Sequence, residues 1–114
     1  MATYDNLPVY KACYDLLIKL FRICSKMQRD YRFTLGESMK KELIDLMINI
    51  YRANCRQQKK ELIEQARENI EVVRLLLRLS NEIRLVSMKE FIDLNINIES
   101  ISKQLTAWSK SCKE

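Results

Sequence analysis

One glycine and one proline in 114 residues leave this chain almost nothing with which to make turns. All-β sandwiches and barrels need a turn signal roughly every 8–12 residues, so they are excluded. Hydrophobic residues make up 47% of the chain, which is too much apolar material for a disordered segment. Single domains commonly run to roughly 100–150 residues. The expectation is one all-α domain over residues 1–114 with few, short connections.

The apolar spacing divides that domain into helices over about 8–28, 35–54, 57–84 and 88–110. Pro8 suits a first helical turn, and Asp5 or Asn6 could cap it. Val9, Cys13, Leu16, Leu20, Ile23 and Met27 then follow at alternating spacings of four and three, the rhythm of a helix packed in a near-parallel bundle. Gln28 to Thr34 break the rhythm and read as the first loop, with Thr34 capping the second helix and Glu37 in capping-box position. Met39, Leu43, Leu46, Ile50 and Ala53 carry the second stripe, and Leu62, Ala66, Ile70, Val73 and Leu77 the third. Ser87 and Glu90 form a second capping box, ahead of Phe91, Leu94, Ile98, Ile101, Leu105 and Trp108. Amphipathic helices joined by short loops predict an antiparallel up-down-up-down four-helix bundle.

These helices carry more apolar surface than one core needs. Leu17, Ile18, Phe21 and Cys24, then Ile44, Met47, Ile48 and Tyr51, then Val72, Leu75, Leu76 and Leu79 widen the apolar faces. Contiguous apolar surface of this kind marks interfaces, so self-association is expected, with the run from Glu71 to Leu79 as the leading shared surface.

The chemistry that is missing is equally informative. There is no histidine, which removes imidazole bases, Ser-His-Asp and Cys-His pairs and His-bearing metal sites. Gly36 alone cannot form a phosphate-cradling loop. Cys13, Cys24, Cys55 and Cys112 form no C-x-x-C pair and read as free thiols. Glu61, Glu64, Glu68 and Glu71 line one helical row without the Glu-x-x-His partner of a di-iron bundle, and read as a solvated face. No catalytic residue, metal, cofactor or small-molecule substrate is expected. No apolar run reaches the ~18 residues of a membrane span, and no leader pattern opens the chain, so a soluble cytoplasmic protein is expected.

Twenty Lys and Arg against 15 Asp and Glu give a net charge of +5, which suits an anionic partner. Lys19, Arg22, Lys26 and Arg29 recur at helical spacing as a ~15 Å basic stripe, extended backward by Lys11. Arg52, Arg56, Lys59 and Lys60 are the densest cluster, and Arg67, Arg74 and Arg78 mark a third row. Such rows neutralise phosphates. Little aromatic interleaving is visible in them, which points to backbone or shape recognition rather than base stacking.

Several segments resemble a known family. They are Leu7-Pro8-Val9-Tyr10, the run Tyr31-Arg32-Phe33-Thr34-Leu35-Gly36-Glu37 leading on to Ile50-Tyr51-Arg52-Ala53-Asn54, Leu77-Arg78-Leu79, and Ala107-Trp108-Ser109-Lys110-Ser111. In this order, across nearly the whole chain, they resemble the Avd (accessory variability determinant) proteins of diversity-generating retroelements. A sister branch, encoded by intervening sequences of bacterial 23S ribosomal RNA genes, carries an Asn-Ile-Ala-Glu-Gly-like signature where this chain has Ile50 to Asn54. The family's Gly-Gly-Trp ending is Thr106-Ala107-Trp108 here. The resemblance implies a homopentameric barrel of four-helix bundles that binds a reverse transcriptase and RNA or DNA and supports mutagenic retrohoming. On that reading Lys19, Arg22, Lys26, Arg29, Arg52, Arg56, Lys59, Lys60, Arg74 and Arg78 are the candidate contacts to nucleic acid or polymerase. The alternative is a structural, self-assembling bundle of the ribosomal-RNA intervening-sequence type with a ribosome- or RNA-associated role.

Overall fold

The computed structural model describes residues 6–113, so the candidate cap Asp5 lies outside the described residues. The long helices are α1 (Pro8–Cys24), α2 (Glu37–Asn54), α3 (Lys60–Glu82) and α4 (Met88–Ser111). Each packs on two neighbours: α1 on α2 and α4, and α3 on α2 and α4, a square of helices. Moving ten residues forward on α3, from Glu64 to Arg74, moves ten back on α4, from Ser109 to Glu99, along paired side chains. The two helices are therefore antiparallel and in register. The body measures 44 × 21 × 20 Å, a little longer than its longest helix, about 36 Å, and the width of two helix diameters.

The core is the set of stripes that spacing predicts, with small rotations. In α2 the predicted residues Met39, Leu43, Leu46, Ile50 and Ala53 are all buried. In α1 the core runs through Cys24 rather than Ile23, which is half-buried, so Cys24 belongs to the interior and not to the apolar surplus. In α3 Ile63 replaces Leu62 at the core, and in α4 Phe91 and Trp108 sit half-buried at its margin while Ser109 points in. Each of these slips exchanges one member of an i+3/i+4 pair for the other, and both members lie on the same helical face. A polar ladder ties α2 to α3: Asn49 donates to Asn69 at 2.9 Å, and Asn69 donates to Glu42 at 2.9 Å. It satisfies the buried Asn49, and no buried side-chain nitrogen or oxygen among the described residues lacks a partner.

The helix ends depart most from expectation. Leu7 is the N-cap of α1 with Pro8 at the first helical position, and it supplies no side-chain cap, so Asn6 does not occupy the capping position. The segment read as a loop is helical: one turn over Arg29–Tyr31 runs into a π-helical turn over Arg32–Gly36 that feeds α2. Thr34 is therefore not a cap. Its hydroxyl donates backward to the carbonyls of Asp30 at 2.9 Å and Tyr31 at 3.4 Å. Gly36 makes no turn either. A Cβ there would meet Cys24 Sγ at 3.2 Å, so the glycine lets the start of α2 press against the end of α1. The left-handed residue of the fold is Arg84, φ 67°, which closes α3. There Leu85 N–H reaches the Ser80 carbonyl and Arg84 N–H the Asn81 carbonyl, the two bonds of a Schellman motif. At α4 the capping box forms as spacing predicts, with Ser87 Oγ accepting from Glu90 N–H and Glu90 accepting from Ser87 N–H.

Apolar side chains remain outside the core on more than one side of the square. Between α1 and α2, Tyr10, Leu17, Ile44, Met47, Ile48 and Tyr51 line a groove of about 340 Å³. On the outer faces of α3 and α4, Val72, Leu75, Leu79, Ile92 and Ile96 stand exposed, with Leu75 at 62% and Ile96 at 66%.

Candidate nucleic-acid interface

The folded chain gathers its cations at the two ends of the bundle more than along its length. At the end that holds the α2–α3 connection, Arg52 lies in the last turn of α2 and Arg56 follows it, both exposed. Lys59 and Lys60 begin α3, half-buried. A cation in a last turn is favoured by the helix dipole, whereas two lysines at a helix start stand against it. The dipole does not account for Lys59 and Lys60. Lysines beside the outward-pointing N–H groups of a helix start do suit an anion.

The fold brings α4 to the same place. Lys59 Nζ lies 5.9 Å from the centre of the Trp108 ring, and Gln57, Lys59, Trp108, Ser111, Cys112 and Lys113 line a cleft of about 360 Å³. Lys110, in the last turn of α4, and Lys113 are exposed and enlarge the cationic end. Sequence spacing carries no sign of these two, because they lie some fifty residues from the cluster they join.

At the other end the basic stripe of α1 divides. Lys19 is engaged across the α1–α4 seam, 3.1 Å from Asp93 and donating to Asn97 at 2.8 Å. Arg22, Lys26 and Arg29 are exposed and continue the stripe, while Lys11 is exposed at the far end of α1. Arg32 joins them through the π-helical turn. The Arg29 and Arg32 guanidinium carbons lie 5.6 Å and 5.8 Å from the centre of the Phe33 ring, so cationic and aromatic groups interleave where helical spacing showed no such pattern.

The third row is largely neutralised. Arg74 bonds Glu71 at 3.1 Å and also Glu99 on α4, and Arg67 bonds Glu64 at 3.0 Å. A hydrogen bond from Ser109, then the Arg67 guanidinium, hold the Glu64 carboxyl below its ordinary range. Arg78 is exposed. Glu64 and Glu71 of the glutamate row are thus salt-linked.

Among the described residues no group of three or more His, Cys, Asp or Glu side chains could hold a metal ion. Cys13 and Cys24 are buried free thiols whose titration burial pushes up, and Cys55 is exposed. No described helix is long and apolar enough to cross a membrane.

Comparison with curated proteins gives no match. A family model described as bAvd-like matches residues 8–112, from the first residue of α1 to just beyond the last of α4. The matched span takes in every helix of the square and both cationic ends, and the chain therefore belongs to the bAvd-like family, bacterial Avd.

Proposed function

We propose that this chain is a cytoplasmic subunit that binds the reverse transcriptase and the template RNA or DNA of a diversity-generating retroelement through its cationic ends. It acts there as a scaffold for mutagenic retrohoming. Membership of the bAvd-like family carries this reading, because the family consists of non-catalytic accessory proteins of such retroelements. The exposed cations at both ends support it: Arg52 and Arg56 at one, Arg22, Lys26 and Arg29 beside the other, with Arg32 half-buried among them. Lys59 and Lys60 complete the first contact surface, Arg78 adds a lateral charge, and Lys19 and Arg74 serve mainly to fix the helices that carry the rest.

The assembly we propose is a homopentameric ring. The number five is what the resemblance to Avd proteins implies, and the apolar groove between α1 and α2 with the exposed apolar residues of α3 and α4 supports self-association. Five copies at +5 each carry a formal charge of +25, enough for strong, salt-sensitive attraction to nucleic acid.

Affinity purification of the tagged chain, co-expressed with the reverse transcriptase and template RNA of its retroelement, tests the proposal. The polymerase is expected in the eluate at 0.15 M salt, reduced at 1 M salt where surface charges are screened. Recovery of ribosomal components instead, or of the chain alone, overturns it in favour of the structural reading.

A further inference from the structure

A bundle that held nucleic acid by charge alone would have no use for an exposed phenylalanine between two arginines. Phe33 is 60% exposed, Arg29 and Arg32 flank its ring, and Tyr31 beside it is 41% exposed. The ring does not ride on a loose loop. The π-helical turn holds its backbone, the Thr34 hydroxyl ties that turn to the carbonyls of Asp30 and Tyr31, and Gly36 seats it against Cys24 and Met27. π-helical turns within helices occur frequently at functional sites. Arg29 and Arg32 lie against the ring, and neither they nor Arg22 and Lys26, earlier on the same basic stripe, form an ion pair among the described residues.

Phenyl and guanidinium planes are the surfaces on which unpaired bases stack, and free guanidinium charge is what the adjoining phosphates require. A duplex hides its base faces and offers such a platform nothing. The geometry points to Phe33, flanked by Arg29 and Arg32, as a stacking site for unpaired bases of single-stranded nucleic acid. This inference rests on the nucleic-acid-binding reading above and makes it more specific, because charge rows alone imply backbone contact without preference for unpaired bases.

The experiment is a salt titration of binding by fluorescence anisotropy. The probes are a 12-nucleotide single-stranded RNA of mixed sequence, its DNA counterpart and a duplex of the RNA. Phe33→Ala is expected to weaken binding of the tighter single strand by roughly 10-fold, leave the salt slope unchanged because no cation is lost, and leave duplex binding unchanged. Phe33→Trp is expected to restore affinity, and the new indole to be quenched by the single strand but not by the duplex. The native Trp108 lies at the opposite end of the bundle, so the added signal is local. Arg29→Gln with Arg32→Gln is expected to lower the salt slope by up to about 2. Unchanged single-strand binding by Phe33→Ala overturns the stacking site while leaving the charge-based reading intact. Failure of the unaltered protein to bind any probe at low salt overturns both. A Phe33→Ala protein with lower native mass and unchanged RNA affinity also overturns the inference, and assigns the ring to a protein contact.

Discussion

Replacing Arg56, Lys59 and Lys60 by glutamate is expected to abolish RNA binding at physiological salt while leaving the fold intact. The three reversals take a protomer from +5 to −1, since each exchanges a positive for a negative charge. Each lost phosphate contact flattens the dependence of log affinity on log salt by about 1, so the slope is expected to fall by about 2–3. The affinity loss near 0.15 M salt is expected to be on the order of 100-fold or more, because repulsion replaces attraction at the densest cluster. Unfolding is not the expected cause. The carboxylates introduced by Lys59→Glu and Lys60→Glu stand at the start of α3, where the helix dipole favours acids, and Arg56 is exposed outside any helix. Circular dichroism and native mass therefore stay at the values of the unaltered protein while electrophoretic mobility shift of RNA is lost. Undiminished binding would remove this end of the bundle from the interface.

The second large effect comes from two isoleucines two positions apart. Ile98 is fully buried in the core of α4, and Ile96 is 66% exposed on its outer face. Ile98→Ala removes three carbons from a close-packed interior and is expected to cost about 2–5 kcal/mol, a fall in Tm of roughly 10–20 °C for a domain of this size. Ile96→Ala removes the same atoms from a surface already in contact with solvent. Within the isolated bundle it is expected to change stability by no more than about 0.5 kcal/mol. If the outer face of α3 and α4 is buried between subunits, Ile96→Asp shifts the native mass toward the monomer without changing helicity. Thermal melts and native mass spectrometry of the three variants read both effects. An Ile96→Asp protein of unaltered native mass would exclude this face from the assembly.

Much of this architecture is legible in the sequence because the period of the helix is what the core selects. The stripe of α2 needed no revision, and the Ser87–Glu90 box marks the start of α4 to the residue. Ambiguity enters where two apolar residues three and four positions on both satisfy the period, as with Ile23 and Cys24 or Leu62 and Ile63. There the choice is made by the neighbour. Cys24 turns inward at the place where Gly36 leaves room for it, since a Cβ on Gly36 would stand 3.2–3.4 Å from its side chain, an approach of two helices that no single-helix pattern contains.

The connection from Arg29 to Thr34 was opaque for a related reason. None of its residues is buried, so it carries no core stripe, and an unstriped segment reads as loop. Its order comes from backward hydrogen bonds of Thr34 and from docking against α1. The placement of Phe33 between Arg29 and Arg32 was hidden with it. The charge rows could be read from sequence, but not which cations are engaged. Lys19 has Asp93 opposite it on α4, and Arg74 has Glu99 there besides Glu71 on its own helix; the partners on α4 lie more than twenty residues away. The cationic end was likewise incomplete until α4 brought Lys113 to the cleft of Lys59 and Lys110 to the same end of the bundle.

The assembly and its nucleic-acid role are tested most directly by the native mass of the purified protein, taken with and without an RNA that contains both hairpin and single-stranded segments, at low and at high salt. The expected result is a species near 68 kDa, five times 13.6 kDa, that gains RNA at low salt and releases it at high salt. A 13.6 kDa monomer whose mass RNA does not alter would contradict both the assembly and the nucleic-acid role.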